Sequence, residues 1–224
     1  MEKLIEYCKQ RYDEELGFKF SLSNIFAWLF FVVATYIATN KISDSVICGL
    51  SGVKVKAMMD MTDGVIPSLS MLQLTYSIAF VIGVAWLARS LAEGLFYFFT
   101  LKDEVKDLVV DITLKYIETK NNELQKKALG LGAKIELDRN IKKIRRSGSL
   151  AEVFLVVGLS TALLMPFTII NGGVMLVSVI SFTIITWSSF SYFISSVLPY
   201  HVAVKYSAGE LVAIKTSHSE TLGQ

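Results

Sequence analysis

From Val153 to Val204 the chain carries not one Lys, Arg, Asp or Glu. A stretch this long cannot dress a water-facing surface, but it is long enough to cross a bilayer twice, since one crossing takes about 20 helical residues. Inside lipid every backbone N–H and C=O must be satisfied within the protein, so each crossing has to be a helix. Asn171-Gly172-Gly173 sits near the middle. These residue types accept the positive φ that a tight reversal uses. The stretch therefore reads as two spans, 150–170 and 174–198, with 171–173 as the turn and Pro199 closing the second span. Pro166 lacks a backbone donor and predicts a bend in the third span.

Two further spans precede these. Residues 20–40 are uncharged and lie between Lys19 and Lys41. The preceding tail, 1–19, contains Glu2, Glu6, Asp13, Glu14 and Glu15, acids foreign to the basic start of a cleaved signal, so the span is read as retained. The next uncharged run, 64–88, meets Arg89 and Glu93 and then stays apolar to Leu101. A helix over 71–101 would be about 46 Å long, against a hydrocarbon core of about 30 Å, so part of it must tilt or project. Only 19% of the 224 residues are charged and 53% are hydrophobic, whereas a soluble domain has roughly a quarter of its residues charged. The fold class expected is all-α, an integral membrane four-helix bundle with a cytoplasmic helical extension.

Charge placement sets the orientation. Of the 22 basic residues only Lys41, Lys54, Lys56 and Arg89 lie outside the segments 1–19, 102–149 and 199–224. The excess of Lys and Arg on cytoplasmic loops predicts that both termini and the central segment face the cytoplasm of a plasma (inner) membrane. Loop 41–70 then faces outward. Cys8 and Cys48 fall on opposite sides of the first span, which excludes a disulfide between them within one chain.

The central segment 102–149 reads as a helical hairpin. Val105, Leu108, Val109, Ile112 and Tyr116 recur at helical spacing, and Leu114, Ile117, Leu124 and Leu131 widen the apolar face. Gly130-Leu131-Gly132 predicts a stop, after which Leu137, Ile141 and Ile144 mark a shorter helix. Such a pair buries little on its own and predicts sister subunits or a cytoplasmic partner, the plainer alternative being a solvated linker. Arg139, Lys142, Lys143, Arg145 and Arg146 precede the third span. They serve topogenesis, or contact a partner, or attract anionic lipid at about 1 kcal/mol each. No aromatic residue interleaves with them, so no direct nucleic-acid contact is expected.

Three sets of residues are candidates for function. Arg89 and Glu93 are four apart and can pair on one helix face, either at the interface or near mid-membrane. Ser181, Ser188, Ser191 and Ser195 lie near one face of the fourth span and suit helix packing or, as the alternative, a wet pore. The basic cluster 139–146 is the third. Catalytic constellations are missing: His201 and His218 are the only histidines, and no HExxH, CxxC or GxSxG occurs. Gly49 to Lys54 lacks P-loop spacing, and Asp60 to Gly64 lacks the alternating ligands of a calcium loop. No enzyme activity, cofactor or metal is expected.

In its four spans, 20–40, 71–101, 153–170 and 174–197, and its basic cytoplasmic hairpin, the chain resembles the four-pass membrane subunits of bacterial antiphage defence systems, such as the Kiwa type. The likeness is one of architecture, and no functional residue is carried over. It implies a tetrameric membrane sensor working with a cytoplasmic, DNA-binding effector. The expected function is a non-catalytic homo-oligomeric membrane subunit. It would sense a membrane or extracytoplasmic event and regulate a cytoplasmic partner through 102–149. The alternative is a small oligomeric ion channel.

Overall fold

The computed structural model describes residues 22–54, 56, 60, 64–100 and 123–209. The segments 1–21, 101–122 and 210–224 lie outside the described residues, and with them the amino-terminal tail, the end of the carboxyl tail and the first half of the expected hairpin. The described residues form helices and loops. In order these are α1 (Leu22–Thr39), the short α2 (Val46–Gly52), α3 (Met71–Thr100), α4 (Glu123–Leu164), α5 (Ile169–Tyr192), a π-helical turn (Phe193–Val197) and α6 (Leu198–Ser207). Four helical stretches are long and apolar enough to cross a membrane: α1, 71–95 of α3, α4, and the continuous run from Ile169 to Ser207.

Local chemistry explains the ends. Ser70 and Gln73 form a reciprocal capping box at the start of α3: Ser70 N–H donates to Gln73 Oε1 at 2.9 Å and Gln73 N–H to Ser70 Oγ at 3.2 Å. At the end of α1, Lys41 adopts φ 50°. There Ile42 N–H reaches Ile37 O at 3.1 Å and Lys41 N–H reaches Ala38 O at 3.3 Å. That is a Schellman cap built on a non-glycine residue.

The chain divides into two compact units, and α3, α4 and α5 each contribute to both. The first draws on Phe18–Ala92 and Ser147–Trp187. Its core joins Ala27 and Phe31 of α1, Val81, Val84 and Ala88 of α3, Ala151, Leu155 and Val156 of α4, and Phe182 of α5. Phe31 stacks on Phe80 with ring centroids 4.2 Å apart. Trp28 Nε1 donates to Ser77 Oγ at 2.8 Å, so the indole N–H has a partner inside the bundle. Ser160, Thr161, Ser178 and Thr186 are buried here; Ser160 and Thr161 donate to carbonyls one turn back. Trp86, Leu163, Phe167, Ile169, Leu176 and Ile184 face outward. Between 22 and 39% of each span's most apolar stretch is buried. A water-soluble bundle hides its apolar stripe and charges its outer face; here the outer face is itself apolar, as lipid as solvent requires.

The reversal between the last two spans differs from the sequence expectation. α4 ends at Leu164, the turn is Met165–Thr168, and Asn171-Gly172-Gly173 lies within the first turns of α5. Pro166 is the cause. Its ring drives Met165 away from helical φ/ψ and it cannot donate, so it ends the span rather than bending it. Thr168 then caps α5, its Oγ1 accepting from Asn171 N–H at 3.2 Å. The Asn171 side chain, 1% exposed, ties this turn to the start of the 41–70 loop. Its Nδ2 donates to Pro166 O at 2.8 Å and Asp44 O at 2.7 Å, and its Oδ1 accepts from Val46 N–H at 3.1 Å. Ser45, the N-cap of α2, makes no side-chain cap, so Asn171 serves that helix end from 125 residues away.

Pro199 does not end the fourth long helix either. Helix continues to Ser207 through the π-turn, where Leu198 N–H bonds to Phe193 O. Widening the helix just before Pro199 relieves the clash a proline ring makes with the carbonyl four residues earlier.

The second unit takes in the described residues of Glu93–Arg146 and those from Ser188 onward. The stop expected at Gly130-Leu131-Gly132 is absent: α4 runs unbroken for 42 residues, about 63 Å. Gly130 is there for packing, because a Cβ at that position would meet the side chain of Ser207 on α6. Leu137, Ile141 and Ile144, on one face of α4, pack on Phe190, Phe193, Ile194 and Val197. The apolar face that the sequence left wanting a partner is therefore covered, between 137 and 144, by the chain's own later residues.

Candidate functional site

Within the second unit, α4 and the π-turn enclose an open polar groove of about 440 Å³, lined by Glu136, Asn140, Tyr192, Ser195, Ser196, Pro199 and Tyr200. Glu136 and Asn140 are one helical turn apart on α4 and so face it together. Tyr192 OH donates to Asn140 Oδ1 at 2.8 Å, which fixes the phenol against α4. The Lys143 ammonium stands 4.3 Å from the centroid of the Tyr192 ring. Ser195 and Ser196 hydroxyls lie 3.3 Å apart on the π-turn. Single π-turns inside α-helices recur at functional sites because they re-aim side chains that a regular helix would space evenly. A neighbouring cation–π contact, Lys126 Nζ at 5.5 Å from the Tyr206 ring, holds the outer part of α4 to α6.

The first unit holds the second candidate. Arg89 Nε lies 3.9 Å from Glu152 Oε1, with the two side chains 22% and 14% exposed. This cross-helix ion pair links α3 to α4. The sequence pointed instead to Glu93, which is exposed. Glu152 is 63 residues from Arg89, a distance at which sequence spacing carries no pairing signal.

The remaining predicted residues are distributed as follows. Ser188, Ser191 and Ser195 are exposed and Ser181 is half-buried; of the four, Ser195 lines the groove. The hydroxyls buried in the first unit's part of α5 are Ser178 and Thr186. Arg139, Lys142, Lys143 and Arg146 are exposed and Arg145 is half-buried. Leu124, Leu131 and Ile135 form an outward apolar stripe on the charged half of α4, with exposures of 83, 67 and 70%. Cys48 is free and exposed. Among the described residues no group of three or more His, Cys, Asp or Glu is placed to hold a metal ion.

The sequence named neither Asn140, Tyr192 nor Glu136. Their one available signal was the pair Tyr192 and Tyr200 flanking a Ser-Ser-Val-Leu-Pro run at the end of an uncharged span, a position suited to interfacial aromatics. No protein family, no curated protein and no solved structure matches this chain.

Proposed function

We propose that the protein is a non-catalytic membrane subunit, with both termini and the charged half of α4 in the cytoplasm, that anchors or regulates a cytoplasmic effector protein. The observation that carries this reading is α4. One unbroken helix includes an apolar span and a charged segment whose stripe of Leu124, Leu131 and Ile135 is exposed. The spacing of seven and four residues is that of a helix-packing seam. A lipid-facing position would explain exposed leucines, but Lys126, Lys127, Lys134, Glu136 and Asp138 surround these three. A protein surface is the occupant that fits. A continuous helix also offers a mechanical link between an event at the membrane, or at the outer loop tied down by Asn171, and that surface. Homo-oligomerisation and a role in antiphage defence are part of the same proposal and rest on architectural likeness.

The test is affinity purification in mild detergent of the full chain and of Leu131→Asp with Ile135→Asp. A stoichiometric soluble protein recovered with the parent and lost with the double variant supports the reading; unchanged recovery refutes the role of the stripe. A second reading, a small oligomeric channel, is favoured by one observation: Ser188 and Ser191 face outward, where a neighbouring subunit's helices would meet them. It predicts ion flux from vesicles holding the purified chain alone.

A further inference from the structure

The groove carries chemistry that a role as membrane anchor does not use. Its walls present one carboxylate, Glu136, the two phenol rings Tyr192 and Tyr200, and the hydroxyls of Ser195 and Ser196. A carboxylate beside aromatic faces is how proteins hold an organic ammonium. Lys143 does not line the groove, but its ammonium stands 4.3 Å from the centroid of the Tyr192 ring, which does, and brings a positive charge beside it. The site is thus zwitterionic, with a cation and an anion seven residues apart on one helix, a rise of about 10 Å. That gap narrows to the reach of a small headgroup because the lysine stem is long and flexible.

The order of these charges along the chain matters. Lys143 is nearer in sequence to the apolar part of α4, and Glu136 is farther from it. On the other helix, Tyr192 to Tyr200 directly follow the apolar residues of α5. In the sequence Tyr192 comes a little more than 20 residues after Ile169, about the length of one crossing, where interfacial aromatics belong. A phospholipid rising from its acyl chains presents phosphate first and amine beyond it, the same sequence as Lys143 followed by Glu136.

We propose that the groove binds the headgroup of an aminophospholipid of the phosphatidylethanolamine type. Its phosphate lies against Lys143, and its ammonium donates to Glu136 and the Ser195–Ser196 pair over the Tyr192 and Tyr200 rings. An anionic glycerol headgroup places no positive charge on Glu136, and a trimethylated amine cannot donate to it. The proposal rests on the membrane reading of the four spans and adds a named ligand to it.

The experiment uses the full chain purified in detergent, delipidated, and titrated with phosphatidylethanolamine, phosphatidylglycerol or phosphatidylcholine of matched acyl chains, with binding read by native mass spectrometry. One ethanolamine lipid per chain is expected, at an affinity about tenfold above the choline lipid, since a hydrogen bond to a charged group is lost with the latter. Glu136→Gln, which keeps the shape, erases that preference. Lys143→Gln weakens all three lipids alike and leaves the preference intact. Equal or tighter binding of phosphatidylglycerol, or a preference unaffected by Glu136→Gln, overturns the proposal. Soluble O-phosphoethanolamine competing as well as the lipid at equal concentration would also overturn it, by assigning the groove to a free metabolite. A carbonate wash of native membranes separates this failure from that of the underlying reading. Protein released by carbonate contradicts the membrane spans; protein retained but indifferent to the amine contradicts the headgroup site alone.

Discussion

Replacing Asn171 with Ala removes the side chain that holds the reversal between the last two long helices to the 41–70 loop. Three hydrogen bonds go with it, to Pro166 O, Asp44 O and Val46 N–H, all from a residue that is 1% exposed. A made hydrogen bond contributes about 1 kcal/mol net, and a buried donor left without a partner costs about 1–3 kcal/mol. Thr168 still caps α5 through the Asn171 backbone, so that bond survives the change. The expected loss is therefore about 2–4 kcal/mol. Reversible unfolding of the detergent-solubilised chain in a denaturing-detergent titration measures it, with helix content as the signal. Asn171→Asp sharpens the test: a carboxylate still accepts from Val46 N–H but meets the carbonyls of Asp44 and Pro166 with repulsion in place of donation. It should destabilise at least as much as Ala. A loss below about 0.5 kcal/mol for Asn171→Ala would refute the clamp, as would an Asp variant more stable than the Ala variant.

Four further outcomes can be measured. A Cβ at Gly158 would come within 3.1 Å of the Ser178 Cβ on α5, so Gly158→Val should cost about 1–3 kcal/mol by overpacking. Gly83, with nothing near it, should accept Ala with no loss in the same titration. Arg89→Met and Glu152→Met should couple in a double-mutant cycle by about 1 kcal/mol, whereas the Arg89 and Glu93 cycle should give only about 0.3 kcal/mol; the reverse ranking would contradict the cross-helix pair. Exposed Cys48 should react in intact spheroplasts with a membrane-impermeant maleimide, and labelling only after permeabilisation would invert the proposed orientation.

How far the fold was legible in the sequence depends on which forces set each feature. Long apolar stretches were legible because the hydrocarbon thickness admits few alternatives, and four helices long and apolar enough to cross a membrane are found among the described residues. The turns were less legible. Asn171-Gly172-Gly173 has the composition of a reversal, yet Pro166, five residues earlier, ends the helix first and leaves Asn171 to act as a clamp. Gly130 likewise has the composition of a helix end, but its role is set by the approach of Ser207, a contact between residues far apart in the chain. Pro199 was expected to stop a span that a π-turn carries past it. Both candidate sites depend on pairings across helices, Arg89 with Glu152 and Asn140 with Tyr192. No spacing rule announces such pairs. What the sequence supplied for the groove was two tyrosines at the end of an apolar run.

In the proposed function α4 carries its exposed Leu124, Leu131 and Ile135 stripe to a protein partner beyond the membrane. The most direct measurement is the mass of the assembly extracted in mild detergent from native membranes, with its components identified. A complex containing a second, soluble protein in fixed ratio is expected, and it dissociates when Leu131 and Ile135 become Asp. A homo-oligomer with no other protein bound, unchanged by those substitutions, would contradict it.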